Sequence, residues 1–416
     1  MCSAQRLVCS VVSGARFQDS VPIHDPLARG KEERRKGGTA HSHLPPARTI
    51  MPSTPAPDLP RPPFIHVDGL PNFRDAGGYP VTDGSSTGTG GKKTIVRRGV
   101  LYRASEPSKL SSEGEAQLRA LGIREVYDLR SAVEIERGIR EGHGWAIREW
   151  EGARRNFVPV FLDQDYSPEA LALRIKNYSD ETTAGFVKAY MDILHAASDK
   201  NNQFSPFRTI LAHLAAPPAA SSSSTQTPST SSSSSSPSLP ASTSVPVNPP
   251  ATPAAAAAAA AAGPQQTSGP PPVLIHCTAG KDRTGVICAL VLSLCGVADH
   301  VIADEYNLTE LGLRERHEEL MQHLLNNPSM AGNVAGVRRM IGAQKPSMLG
   351  TLALIREKYG SIHDCVVKLG LLSPDEIIQL RDNLVVDAND DDVDEEVLPL
   401  PLPFPLPGGD AATTLV

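Results

Sequence analysis

The sequence predicts an α/β fold, a central sheet flanked by helices with a helical C-terminal part. Three observations carry this. Short apolar runs alternate with helical patterns between residues 64 and 216. A further run, Val273-Leu274-Ile275, passes through a polar loop into an apolar helix expected from Gly285 to Leu294. From Asp299 onward the recurring pattern is helical.

Not all of the 416 residues can build a core. Aromatic residues make up 5% of the chain, while Pro (37) and Gly (33) are abundant, as expected of a globular part diluted by disordered sequence. Residues 1–63 read as a disordered leader, with Met51 as a second possible start. Its first acid is Asp19, so a mitochondrial presequence is the lesser reading of residues 1–50. Residues 217–272 are Ser runs, Pro-rich stretches and an Ala tract, and read as a disordered insertion. Residues 387–416, acidic and then Pro-rich, read as a disordered tail. The expected domain is residues 64–386, interrupted by the insertion.

The net charge of −6 is concentrated: seven acids lie between Asp387 and Glu396. The remainder offers no basic surface for nucleic acid. Six cysteines without a CxxC pair argue against a disulfide framework or metal site and fit a reducing compartment, the cytoplasm. No run reaches the roughly 18 apolar residues that would span a bilayer. Oligomeric state is not legible.

In chain order, turns marked by Pro71 and the Gly77-Gly78 pair precede a strand-like piece from Thr94 to Arg103. Ser112 to Glu115 fits a capping box that opens a helix ending at Gly122. Ile123–Leu129 reads as a strand with Asp128 at its C-terminal end, where functional groups of α/β sheets gather. Phe157–Phe161 reads as another strand, and Ser167-Pro168 opens a helix. Phe186, Tyr190, Ile193, Leu194 and Ala197 recur at helical spacing and read as core packing. Helices are expected at Phe207–Leu214, Asp299–Leu311, Arg314–Leu325, Ser347–Tyr359 and Ser373–Leu384.

The strand-to-helix loop His276-Cys277-Thr278-Ala279-Gly280-Lys281-Asp282-Arg283-Thr284-Gly285 carries chemistry. Cleaving a phosphate monoester requires a nucleophile at phosphorus, neutralised oxygens and a proton for the leaving group. Cys277 supplies a thiol that a helix N-terminus can hold as thiolate. Arg283, six residues on, offers a planar fork for two oxygens. The amides from Thr278 through Ala279, Gly280, Lys281 and Asp282 to Arg283 can complete an anion cradle, and Gly280 permits its tight course. Thr284 is placed to donate to the cysteine sulfur, and Lys281 adds charge. A nucleotide P-loop is excluded, because Ile275 and Asp282 stand where that pattern needs Gly and Ser/Thr. A phosphate-binding module without turnover is the rival reading, against which the thiol itself argues.

The loop HCTAGKDRTG, with NFRDAGG at Asn72–Gly78 and DLRS at Asp128–Ser131, resembles the atypical bacterial and fungal tyrosine phosphatases of the protein-and-lipid triple-specificity type. The resemblance implies a cysteine-phosphatase fold acting on phosphotyrosine, with phosphoserine/threonine and phosphoinositides as further substrates, and no cofactor. It implies Cys277 as nucleophile, Arg283 as clamp and Asp282 as general acid. It links Lys281 with lipid substrates and makes Asp128 a group that orients the arginine. Asp163 and Asp165 stay open as alternative acids. His276 is expected to be a buried support of the loop, and Arg74 and Asp75 an ion pair that braces it.

Overall fold

A computed structural model describes residues 59–82, 93–142, 146–217 and 269–388. The expectations for most of the leader, including the start at Met51, and for most of the insertion and the tail lie outside the described residues.

The strands are β1 (Arg74–Asp75), β2 (Thr94–Val96), β3 (Leu101–Ala104), β4 (Glu125–Asp128), β5 (Arg154–Phe157), β6 (Val273–His276) and β7 (Val385–Asp387). Five of them form one sheet in the order β1-β3-β6-β4-β5. Within it β1 runs antiparallel to β3, and the other neighbours are parallel. The registers of β3 and β4 on β6 bring Ala104, Asp128 and His276 to one level. Three strand ends therefore open at the place where the Cys277 loop begins.

Side chains alternate across this sheet as a period of two requires. Val273, Ile275, Leu101 and Tyr127 enter the large core, whereas Leu274, Tyr102 and Val126 enter a smaller one with Phe73, Leu118 and Trp150. The smaller core is covered by α1 (Ser112–Ala120). Helix α2 (Ala132–Arg140) follows β4, and α3 (Pro168–Ser179), α4 (Thr183–Ala197) and α5 (Pro206–Leu214) follow β5. After β6 comes α6 (Asp282–Cys295), apolar on nearly every side and buried as the central helix. The C-terminal part is helical: α7 (Asp299–Asn307), α8 (Thr309–Gly312), α9 (His317–Leu325), α10 (Val334–Ile341), α11 (Lys345–Tyr359), α12 (Ile362–Lys368) and α13 (Pro374–Leu384). Ser373 and Glu376 cap α13 reciprocally, as expected of this Ser-Pro-Asp-Glu start.

Several local expectations are corrected. The piece from Thr94 to Arg103 is broken at Gly99, whose φ of 75° turns the chain. Its first half pairs with β7 in a separate two-stranded sheet, and its second half joins the main sheet. The strand expected at Phe157–Phe161 is shifted to Arg154–Phe157, an edge strand whose polar outer residues hide it from a hydrophobicity pattern. Beyond it Val158 and Val160 are buried and donate to the carbonyls of Asp128 and Leu129. The cap of α1 is Ser111 rather than Ser112, accepting from the Gly114 amide at 3.1 Å. The central helix begins at Asp282, three residues before the expected Gly285, which puts Asp282 and Arg283 in its first turn. At the edges of the described segments, the Pro63 carbonyl accepts from the Asp75 amide, the Pro271 carbonyl accepts from His213 Nε2 at 3.2 Å, and Asp387 pairs with Thr94. No helix among the described residues is long and apolar enough to cross a membrane.

Candidate active site

The loop after β6 is fastened by its carbonyl oxygens. The Cys277 carbonyl accepts from His276 Nδ1 at 3.1 Å, and the Thr278 carbonyl from the Glu106 amide at 3.0 Å. Asn72 Nδ2 donates to the carbonyls of Ala279 and Gly280 at 3.1 and 3.3 Å. Arg103 Nη2 reaches the Gly280 carbonyl at 2.8 Å, and the Lys281 carbonyl accepts from Gly285 within α6 at 2.8 Å. Among the described residues, the amides of Thr278 through Arg283 donate to no protein acceptor. With its carbonyls turned outward and its amides unspent, the loop is a nest for an anion at the N-terminus of α6. Gly280 allows this course: its φ is +64°, and a Cβ there would lie 2.0 Å from the Ala104 carbonyl oxygen.

The supports of the loop are themselves held. Glu305 of α7 takes Arg74 Nε at 2.8 Å on one oxygen and Arg103 Nη1 at 2.6 Å on the other, all three side chains being buried. Arg74 also donates to Asn72 Oδ1 and to Thr309 Oγ1. Burial opposes ionisation of Glu305, but the two guanidiniums outweigh it and hold the carboxyl below its usual range. The expected Arg74–Asp75 ion pair is not formed. As neighbours on a strand they point to opposite faces, and Asp75 instead accepts from the amides of Gly77 at 2.8 Å and Gly99 at 2.6 Å. Its burial raises its pKa to about 6 against those two hydrogen bonds.

Arg283 is oriented by Glu134, a residue that sequence reasoning missed. Its Nη1 and Nη2 meet the Glu134 carboxylate at 2.6 and 2.7 Å, and Nη1 also reaches the Leu129 carbonyl at 3.2 Å. Thr278 Oγ1 donates to the same carboxylate, as does the Tyr166 hydroxyl at 3.2 Å. Burial would raise the Glu134 pKa, but Arg283 and the Thr278 hydroxyl bring it down to about 2. Glu134 belongs to α2, whose Ser131 cap accepts from the Glu134 amide itself. A capping serine three residues before a glutamate was the available signal.

Asp128, expected to orient the arginine, does not touch it. Its carboxylate is used by Arg130 at 3.0 and 2.9 Å and by Arg155 at 3.0 and 2.8 Å. Burial would raise its pKa, yet His276 and these arginines hold it well below the usual range. Asp128 is the last residue of β4, whereas Arg283 extends from the first turn of α6 to Glu134 on α2. His276 is buried: desolvation lowers its pKa to about 4, so the ring is neutral, with Nδ1 donating to the Cys277 carbonyl.

Lys281 is turned out of the loop. Its Nζ donates to the carbonyls of Met340 and Gly342 at 2.8 and 2.9 Å, at the end of α10, and lies 5.0 Å from the centre of the Phe186 ring. A buried ammonium needs acceptors, and these backbone oxygens supply them. Thr284 is fully buried, and its hydroxyl makes no hydrogen bond among the described residues, so the expected contact with the cysteine sulfur is not formed. Asp282 Oδ1 accepts from the Tyr190 hydroxyl at 2.8 Å and lies 3.1 Å from Lys281 Nζ.

A cleft of about 790 Å³ opens on this machinery. Asp282, Arg283 and Glu134 lie in it, with Tyr166, Arg174 and Tyr178 on one side and residues of the α9 to α10 segment, including Met330 and Met340, on the other. Cys277 is 2% exposed and is not on the lining. On α6, burial pushes the Cys288 thiol up to about 12. Asp163 and Asp165 occupy a single 3-10 turn; Asp165 caps it by accepting from the Leu162 amide at 2.8 Å, and neither lines the cleft. No group of three or more metal-ligating side chains occurs among the described residues.

A family model described as the tyrosine phosphatase family matches residues 65–225 and 233–386. The chain belongs to the tyrosine phosphatase family. It is a protein-tyrosine phosphatase, a hydrolase of phosphoric monoesters. Among similar proteins is the triple specificity protein phosphatase PtpB of Mycobacterium tuberculosis, 27% identical over 296 residues, which cover 65% of this chain and 85% of that one. A tyrosine-protein phosphatase of Nostoc commune is 32% identical over 113 residues, 26% of this chain and 37% of its own. The strand, loop and helix that build the anion nest all lie inside the second matched segment.

Proposed function

We propose that this phosphatase works through a phosphocysteine intermediate at Cys277. The observation that supports this best is the loop itself, whose outer oxygens are bonded while its inner amides stay available. A phosphate dianion bound there would lie against the amides of Thr278 to Arg283 and the guanidinium of Arg283. The Cys277 thiolate attacks phosphorus as the bond to the leaving oxygen breaks, and that oxygen takes the proton of Asp282. Water then attacks phosphorus, Asp282 takes its proton, and the P–S bond breaks to release phosphate and restore the thiolate. Neither Asp163 nor Asp165 lines the cleft, which favours Asp282 as the donor.

For substrate, we propose phosphotyrosine first, because Tyr166, Tyr178 and Phe161 give the cleft aromatic walls that suit an aryl ring. Phosphoserine/threonine and phosphoinositides are the further substrates this reading allows. The breadth of this range follows the triple specificity named for the Mycobacterium relative, and Lys281, whose ammonium is occupied by backbone carbonyls, does not support the lipid class. Residues 64–386 without the insertion are proposed as the catalytic unit. The deciding experiment is Cys277→Ser with an aryl phosphate in EDTA: turnover is expected to fall ~10³-fold or more while phosphate-ester binding survives. Activity within about tenfold of wild type would remove Cys277 as the nucleophile. Rates across phosphotyrosine, phosphoserine and phosphoinositide substrates then rank the classes.

A further inference from the structure

Tyr190 belongs to the apolar stripe of α4 and is fully buried. Packing does not require its hydroxyl. The edge-to-face ladder Tyr178, Phe186, Tyr190, Tyr306 has phenylalanine as one rung. A hydroxyl in such a place costs free energy unless it is bonded, so its partners are informative. One is Asp282 Oδ1 at 2.8 Å; the other is the Tyr306 hydroxyl on α7 at 2.5 Å. Lys281 Nζ stands 3.1 Å from that same Oδ1. No hydrogen bond reaches Oδ2 among the described residues. The charged and titratable groups around Asp282 are thus Lys281 and Arg283 beside it in sequence, Tyr178 from α3, Tyr190 from α4 and Tyr306 from α7. Burial holds all three phenols far above their usual range, so they stay protonated and serve as hydrogen-bonding groups.

We propose that Tyr190, backed by Tyr306, is a positioning residue that fixes Oδ1 of Asp282 and so leaves Oδ2 as the oxygen that carries the proton to the leaving group. The inference rests on the reading of Asp282 as proton donor. A carboxyl free to rotate would present its proton in several directions, whereas one pinned through a single oxygen presents it in one. The pin comes from the core and not from the cleft, so substrate entry does not disturb it. Tyr306 fills the remaining hydrogen-bonding capacity of the Tyr190 hydroxyl and fixes its direction.

The test compares kcat/KM for phenyl phosphate, a poor leaving group, and p-nitrophenyl phosphate, a good one, across pH. Asp282→Asn should lose about 100-fold on phenyl phosphate and much less on p-nitrophenyl phosphate. Tyr190→Phe, close in shape, should lose about tenfold on phenyl phosphate and stay within about twofold on p-nitrophenyl phosphate. Tyr306→Phe, which leaves the Tyr190–Asp282 bond in place, should show the same signs at smaller size. Equal losses on both substrates in both tyrosine variants would make the ladder mere packing and overturn the proposal. If Asp282→Asn itself shows no dependence on leaving group, the donor reading fails and this inference with it. A dependence in Asp282→Asn that is absent from Tyr190→Phe defeats the tyrosine inference alone.

Discussion

Arg283 gains its orientation from a residue that the loop motif does not contain. Glu134 grips both terminal nitrogens of the guanidinium and also accepts from Thr278, so one carboxylate sets two members of the loop. Glu134→Ala is expected to lower kcat/KM about 100-fold by releasing the fork from its plane, while Asp128→Asn should act chiefly through stability. Steady-state kinetics beside thermal melts separates the two. At the same scale, His276 and Asp75 give the fold opposing pH responses. The His276 pKa falls from 6.5 in the unfolded chain to about 4 in the fold, so its contribution is full above pH 6.5 and is lost as pH drops towards 4. The Asp75 pKa rises from 3.8 to about 6, so its contribution is full below pH 3.8 and is lost as pH climbs through 6. In His276→Gln the first response is removed, and denaturation midpoints should fall more from pH 4 to pH 6 than they do in the wild type. Parallel midpoint curves for the two proteins would contradict this.

The element on which the site depends is the β6-loop-α6 unit, and its shape is imposed from outside. Asn72 and Arg103 hold the loop carbonyls, and Glu305 of α7 holds Arg103 and, through Arg74, Asn72. Helix α7 thus fixes the anion nest without contributing to it. Gly280→Ala tests how tightly the loop is confined, because its Cβ would meet the Ala104 carbonyl carbon at 2.3 Å, with φ in the left-handed region. The expected result is a fall in kcat of about 100-fold or more, with the melting midpoint also lowered. An enzyme with wild-type rates would mean that the loop has freedom the packing denies it. The NFRDAGG stretch owes its role to the same geometry. Asn72, at φ 60°, bonds the loop, and a Cβ on Gly77 would lie 2.3 Å from the Arg97 carbonyl oxygen.

At the scale of the whole molecule, α5 and the residues leading into β6 come together where the low-complexity stretch interrupts the chain, His213 of α5 reaching the Pro271 carbonyl at 3.2 Å. Asn383 of α13 donates to the carbonyls of Leu214 and Ala216, and its own carbonyl accepts from Arg97 Nε at 2.8 Å. A Cβ on Gly269 would lie 3.3 Å from that same Arg97 nitrogen. The two ends therefore share neighbours. We propose that replacing residues 218–268 with a short Gly/Ser linker leaves kcat/KM within about twofold, because short flexible closures cost little. A larger loss on an aryl phosphate would assign that stretch a part in catalysis.

The sequence by itself determined the family, the α/β class and the loop with its cysteine and arginine, because these depend on residues adjacent along one strand, turn and helix. It also marked the helix starts at Ser167 and Ser373, where capping is local chemistry. What it could not assign was which charge meets which. Arg74 meets Glu305 instead of Asp75, Arg283 meets Glu134 instead of Asp128, and Lys281 leaves the loop for carbonyls at the end of α10. Each pair is separated by roughly sixty to more than two hundred residues, and each choice is made by the face of a strand or helix from which a side chain departs. A buried charge must find a partner, but only the packed arrangement of elements decides which partner lies within reach.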